Sequence, residues 1–108
     1  MNDHVYVALS EHCEMVARGC KPLSLMPVMT KNKTAILAFL NSTGLSYKLD
    51  DLAEGWATLY VYKHPLIEKI IDMLPDEPKT ALDHTVLGFL LGYDINSILD
   101  FLTLHKLV

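Results

Sequence analysis

The side chains with most capacity for chemistry sit near the start of the sequence. His12 and Cys13 are adjacent, Cys20 follows, and His4 precedes them, and thiolate and imidazole are the ligands zinc prefers. Structural zinc sites are built from paired units such as C-x2-4-C or H-x3-5-H, which turn two ligands toward one point. Neighbouring residues on a helix instead point about 100° apart, and here the only second cysteine lies beyond a gap of six residues. The spacing predicts no metal site. Thiol chemistry has one candidate, Cys13, activated by the positive end of a short helix and by a histidine brought from elsewhere, His64 or His84. Free cysteines are among the most buried residues, so packing is the expected role. Acid–base work by His84 with Asp83 or Asp72 lacks support, because adjacent helical residues do not share a face and no paired carboxylates accompany them. No glycine-rich phosphate loop is present and nothing calls for a cofactor, so no catalytic residue is assigned.

A different kind of spacing occurs near the end. Leu87, Gly88, Leu91, Gly92, Ile98 and Leu102 fall at intervals that resemble those of a DNA-binding helix-turn-helix, in which a small residue lets two helices approach and a Leu-Gly pair makes the bend. The resemblance implies a transcriptional regulator whose second helix reads DNA. A reading helix needs Arg, Lys, Asn or Gln outward; this one offers Asp94, Asn96, Ser97 and Asp100, with no basic residue before Lys106. A tight helical corner closed by a glycine needs only packing, and it is the preferred reading.

The segment Trp56 to Tyr62 alternates strictly. Ala57, Leu59 and Val61 form one face; Trp56, Thr58, Tyr60 and Tyr62 form the other, which can pack against helices or present aromatic anchors to a partner. Base-stacking sheets carry basic residues among their aromatics, and only Lys48 and Lys63 are near. Asp50, Asp51 and Glu54, with Asp72, Asp76 and Glu77, gather around the neighbouring turns, where carboxylates steer a basic partner. Trp56, Tyr60 and Tyr62 are the expected anchors and Asp50, Asp51 and Glu54 the expected rim.

These residues need elements to position them. His4 to Leu9 is rich in β-branched and aromatic types, and Ser10 reads as the cap of a short helix running toward Arg18 and ended by Gly19. Lys21 to Thr30 holds Pro22 and Pro27 and reads as an extended edge segment. Thr30 is a candidate cap for a helix with its stripe at Ile36, Leu37 and Leu40 and its stop at Gly44. Leu45, Tyr47 and Leu49 alternate, an acidic turn follows over Asp50 to Gly55, and Trp56 to Tyr62 completes an antiparallel pair. Pro65 opens a helix whose buried face is Leu66, Ile67, Ile70, Ile71 and Leu74. A proline-led start at Asp76 to Pro78 precedes a helix lined by Leu82, Val86, Phe89 and Leu90. Asp94 caps the last helix, with Ile95, Ile98, Leu99 and Leu102 at helical intervals.

The 108 residues are 51% hydrophobic and 20% charged, the composition of a globular chain with a single core. No internal repeat or linker divides residues 1 to 108. The fold class expected is α+β: a small antiparallel sheet packed by helices and ending in a helical hairpin. No apolar run approaches the ~18 residues of a membrane span, the start does not read as a secretory signal, and two free cysteines suit a reducing compartment; a cytoplasmic location is expected. A net charge of −4 argues against a nucleic-acid partner and makes a neutral or basic protein surface the expected one. The function expected is that of a small acidic interaction module, such as an inhibitor or regulatory subunit; a DNA-binding regulator and a small Cys/His enzyme are the alternatives. Leu104, Leu107 and Val108 also permit a homodimer through the final helix.

Overall fold

The computed structural model describes residues 1–108. Helix α1 spans Asp3–Ala17, strand β1 Leu23–Met29, helix α2 Lys33–Thr43, strands β2 and β3 Ser46–Ala53 and Trp56–Tyr62, and helices α3, α4 and α5 Pro65–Met73, Ala81–Leu90 and Ile95–Leu104. The strands form one antiparallel sheet in the order β1-β3-β2. The α+β class, the small antiparallel sheet and the C-terminal helical pair are those the sequence leads one to expect.

Alternation on β3 divides the core. Leu59 and Val61 point to one side of the sheet and pack with Leu9, Cys13 and Val16 of α1 and Ile36 and Leu40 of α2. Tyr62 points to the other side and packs with Leu23, Ile71 of α3 and Leu90 of α4. The result is a three-layer arrangement with the sheet in the middle. Full burial of a Leu or Val side chain contributes about 2 kcal/mol, and Leu9, Leu23, Leu40, Leu59 and Val61 are fully buried.

Several boundaries differ from the sequence expectation. The β-branched stretch at His4 to Leu9 is helical, because the Asn2 side chain accepts the Val5 N–H at 2.9 Å and opens α1 there; Leu9, Cys13 and Val16, three or four apart, then share the sheet-facing stripe. Gly19, at φ +76°, follows the end of α1. Thr30 begins a single 3-10 turn, Thr30–Asn32, and α2 starts after it. Asp50 and Asp51 belong to β2 and not to a turn; the connection is Glu54-Gly55, with a register shift between Asp51 and Ala53 and Gly55 at φ +77°. Asp76 to Pro78 is not helical: α4 opens at Thr80, whose hydroxyl accepts the Asp83 N–H while the Asp83 carboxylate accepts the Thr80 N–H. Leu66, Leu82, Phe89, Ile95 and Leu99, expected on buried faces, are exposed. Each helix stripe is wider than the seam its neighbours cover.

Pro27 lies on β1, an edge strand, as a residue without an N–H requires. The other edge is β2, whose Lys48, Asp50 and Asp51 disfavour pairing with a further strand. No helix is long and apolar enough to cross a membrane.

Candidate functional site

Cross-strand register decides which of the candidate residues meet. On β3 the even-numbered residues face α3 and α4, and their partners on β2 share that face: Lys48 opposite Tyr60 and Asp50 opposite Thr58. Leu25 of β1 lies opposite Tyr60 on its other side. From α3 and the segment after it come Ile71, Asp72, Leu74, Pro75, Asp76 and Pro78. These side chains enclose a groove of about 270 Å³ with an apolar floor and a polar mouth.

Lys48 organises the mouth. Its ammonium donates to Asp72 Oδ1 at 3.0 Å, lies 3.7 Å from Asp50 Oδ2, and sits 5.9 Å from the centre of the Tyr60 ring. The hydrogen bond to Asp72 raises the Lys48 pKa, with the Asp50 carboxylate adding to it. Burial raises the Tyr60 phenol, and Asp50 raises it further, so the hydroxyl keeps its proton and can donate as well as accept. Three carboxylates, of Asp50, Asp72 and Asp76, thus surround one ammonium and one phenol, and the mouth carries a net negative charge.

The expected contact residues divide. Asp50 and Tyr60 meet in the groove. Trp56 stands at the start of β3 and is 40% exposed, with Glu54 beside it in the turn. Asp51, one residue from Asp50 on an alternating strand, lies opposite Ala57 and so on the α1–α2 side. Tyr62 is 3% exposed and is a core residue packed with Leu23 and Ile71; burial raises its phenol pKa. It is not a surface anchor, because α3 and α4 cover this end of the strand. Lys48, Asp72 and Asp76 complete the groove. Asp72 and Asp76 belong to the acidic patch the sequence suggests; the place of Lys48 among them depends on cross-strand register and on the path of the chain after α3.

The Cys/His candidates are dispersed. Cys13 is buried on the α1–α2 side, and burial raises its thiol pKa, which disfavours the thiolate. Cys20 is exposed, and neither cysteine is paired. His64 caps α3, its Nδ1 accepting the Leu66 N–H at 3.0 Å, and His84 lies on α4, across the sheet from Cys13. No group of three or more His, Cys, Asp or Glu side chains is placed to hold a metal ion. One polar pair was not visible in the sequence: His12 Nδ1 is hydrogen-bonded to the hydroxyl of Ser24, a side chain 1% exposed. Burial, followed by the charge of Lys21, lowers the His12 pKa, while Glu11 acts in the opposite sense. Ser24 is too buried to meet a substrate.

In the C-terminal pair, Asp94 caps α5 by accepting the Ser97 N–H at 2.7 Å, and Asn96 and Asp100 are exposed. Ser97 lines a cavity of about 360 Å³ between α4 and α5, with His84, Leu87, Leu91, Tyr93 and Phe101 among its other walls. No protein-family model matches the chain, and no curated protein is detectably similar to it.

Proposed function

We propose that this protein acts by binding another protein, and that the Tyr60 groove receives a basic side chain or segment of that partner. The observation that carries the reading is the composition of the groove mouth: the carboxylates of Asp50, Asp72 and Asp76 against the single ammonium of Lys48, around a partly buried tyrosine. An arginine or lysine stem packs on the Tyr60 ring while its head meets carboxylates. Trp56, exposed at the strand end, supplies the rim contact. Lys48 is held by Asp72 at 3.0 Å and more loosely by Asp50 at 3.7 Å, so Asp76 is the carboxylate with no cation beside it, and Asp50 exchanges its longer contact for the incoming charge.

The reading is tested by capture of partners on the tagged chain from its source cells, with nuclease treatment, beside an Asp50→Asn/Asp76→Asn variant. Loss of a stoichiometric protein partner from the variant, with the fold intact, is expected. Retention of that partner at equal yield places its interface elsewhere.

A further inference from the structure

The single chain exposes more surface than its mass accounts for. Its accessible area is 7174 Å², whereas a folded monomer of 12.1 kDa exposes about 6,000 Å². The surplus over that area, roughly 1,200 Å², exceeds the ~800 Å² each partner contributes to a standard interface. The radius of gyration, 14.5 Å, likewise exceeds the ~13 Å of a monomer this long.

Much of the uncovered apolar area lies on the C-terminal pair. Helix α4 buries only Leu90, and α5 only Ile98 and Leu102. Leu82 and Phe89 are 71% and 51% exposed, and Ile95 and Leu99 are 48% and 47% exposed. Leu82 and Phe89, seven apart, share one stripe of α4, and Ile95 and Leu99, four apart, share one stripe of α5. The cavity between the helices is lined from their other flanks, by His84 and Leu87 of α4 and Ser97 and Phe101 of α5. Both apolar stripes therefore lie on the side of the pair away from the cavity.

We propose that two copies of this chain associate through this face, with their α5 helices antiparallel across a two-fold axis near Leu99. The charges at the ends of α5 favour a second copy. A carboxylate, Asp94, stands at its start, and His105 and Lys106 follow its end, with no charged residue between Asp94 and Asp100. Antiparallel packing sets each Asp94 beside the partner's Lys106 and opposes the helix dipoles favourably. A parallel arrangement would set like charges together. The apolar stripe lies between a carboxylate at the start of α5 and a cation after its end, with Asp100 turned about 100° from Leu99 and so off the stripe, an arrangement complementary to itself, as a two-fold interface requires. None of the four stripe residues lines the Tyr60 groove, so this inference does not rest on the proposed function.

Sedimentation of the intact chain from micromolar to millimolar concentration should show a species of twice the chain mass. Leu99→Asp and Phe89→Asp alter side chains already exposed in the single chain, so circular dichroism should show an unchanged fold. Each change acts twice across the axis, and the dimer dissociation constant should rise about 100-fold or more. Lys106→Glu should raise it several-fold. In a Cys20→Ser background, Leu99→Cys should oxidise to a disulfide-linked dimer, while the natural chain with its exposed Cys20 should not. A mass of one chain at every concentration overturns the proposal, as does a dimer indifferent to Leu99→Asp and Phe89→Asp or a Leu99→Cys that fails to cross-link. An unchanged constant in Lys106→Glu overturns the antiparallel orientation.

Discussion

Tyr60 and Tyr62 lie two residues apart on one face of β3, yet they do different work because the helices above them cover only one end of the strand. Tyr62 is enclosed by Leu23, Ile71 and Leu90, so Tyr62→Ala should cost about 3 to 4 kcal/mol, the cost of truncating a buried aromatic, read as a lower denaturant midpoint. Trp56→Ala removes a ring at the sheet margin and should cost under about 1 kcal/mol, while weakening partner binding. Equal losses of stability in the two variants would contradict this division. Strict alternation reveals which residues share a face, and it revealed that Trp56, Tyr60 and Tyr62 do. It carries no information about where along the strand a covering helix stops. The His12–Ser24 pair makes a second prediction at this scale. A histidine with a lowered folded pKa is favoured neutral in the native state, so its contribution is fully present above the unfolded value of about 6.5 and is lost as pH falls toward the folded value. The urea midpoint should therefore drop between about pH 7.5 and about pH 5.5, and His12→Gln should remove that component. An identical pH profile in His12→Gln would assign the dependence to another group.

Elements were legible where a local hydrogen bond or an apolar stripe specified them. Asp94 opens α5, Pro65 opens α3 and Gly44 closes α2 in the positions their chemistry suits. The start of α1 was not legible, because β-branched Val5 and Val7 outweighed a single capping Asn2 whose effect depends on α1 docking against the sheet. The cap of α4 was hidden by the prolines before it. Thr80→Ala removes the hydroxyl that accepts the Asp83 N–H and should cost about 1 kcal/mol, read by thermal unfolding; no loss would mean that packing alone holds α4. Gly88 is a point of close approach between α4 and α5: an added Cβ would come within 2.9 Å of Ile98 Cγ1. Gly88→Val should destabilise by about 2 kcal/mol through overpacking and, by parting the helices, increase exchange of the Ile98 amide with solvent. A stable variant with unchanged exchange would show that the two helices have room to move.

At the scale of the molecule, the sheet separates two kinds of surface. The α1–α2 side supplies the larger buried cluster, whereas the α3–α4 side holds the Tyr60 groove and leads on to the exposed apolar stripes of the C-terminal pair. The sequence carried the fold class through its periodicities, and it carried part of the site through the aromatics of β3 and the nearby carboxylates. It grouped Asp50, Asp72 and Asp76 in a wider acidic patch, but it did not single them out from Asp51, Glu54 and Glu77 or set Lys48 among them, because β2–β3 register and the turn after α3 bring those residues together from separate segments. On the reading proposed above, this grouping receives a basic element of a protein partner. The most direct test of that reading is the affinity of the captured partner for the purified chain, measured by titration calorimetry for the natural sequence, for Asp50→Asn/Asp76→Asn, and for Asp51→Asn as a control on the opposite face. Affinity should fall about 10-fold or more in the double variant, by less at higher salt concentration because less attraction remains to be screened, and should keep its natural value in Asp51→Asn. Natural affinity in the double variant, or an equal loss in Asp51→Asn, would contradict the reading.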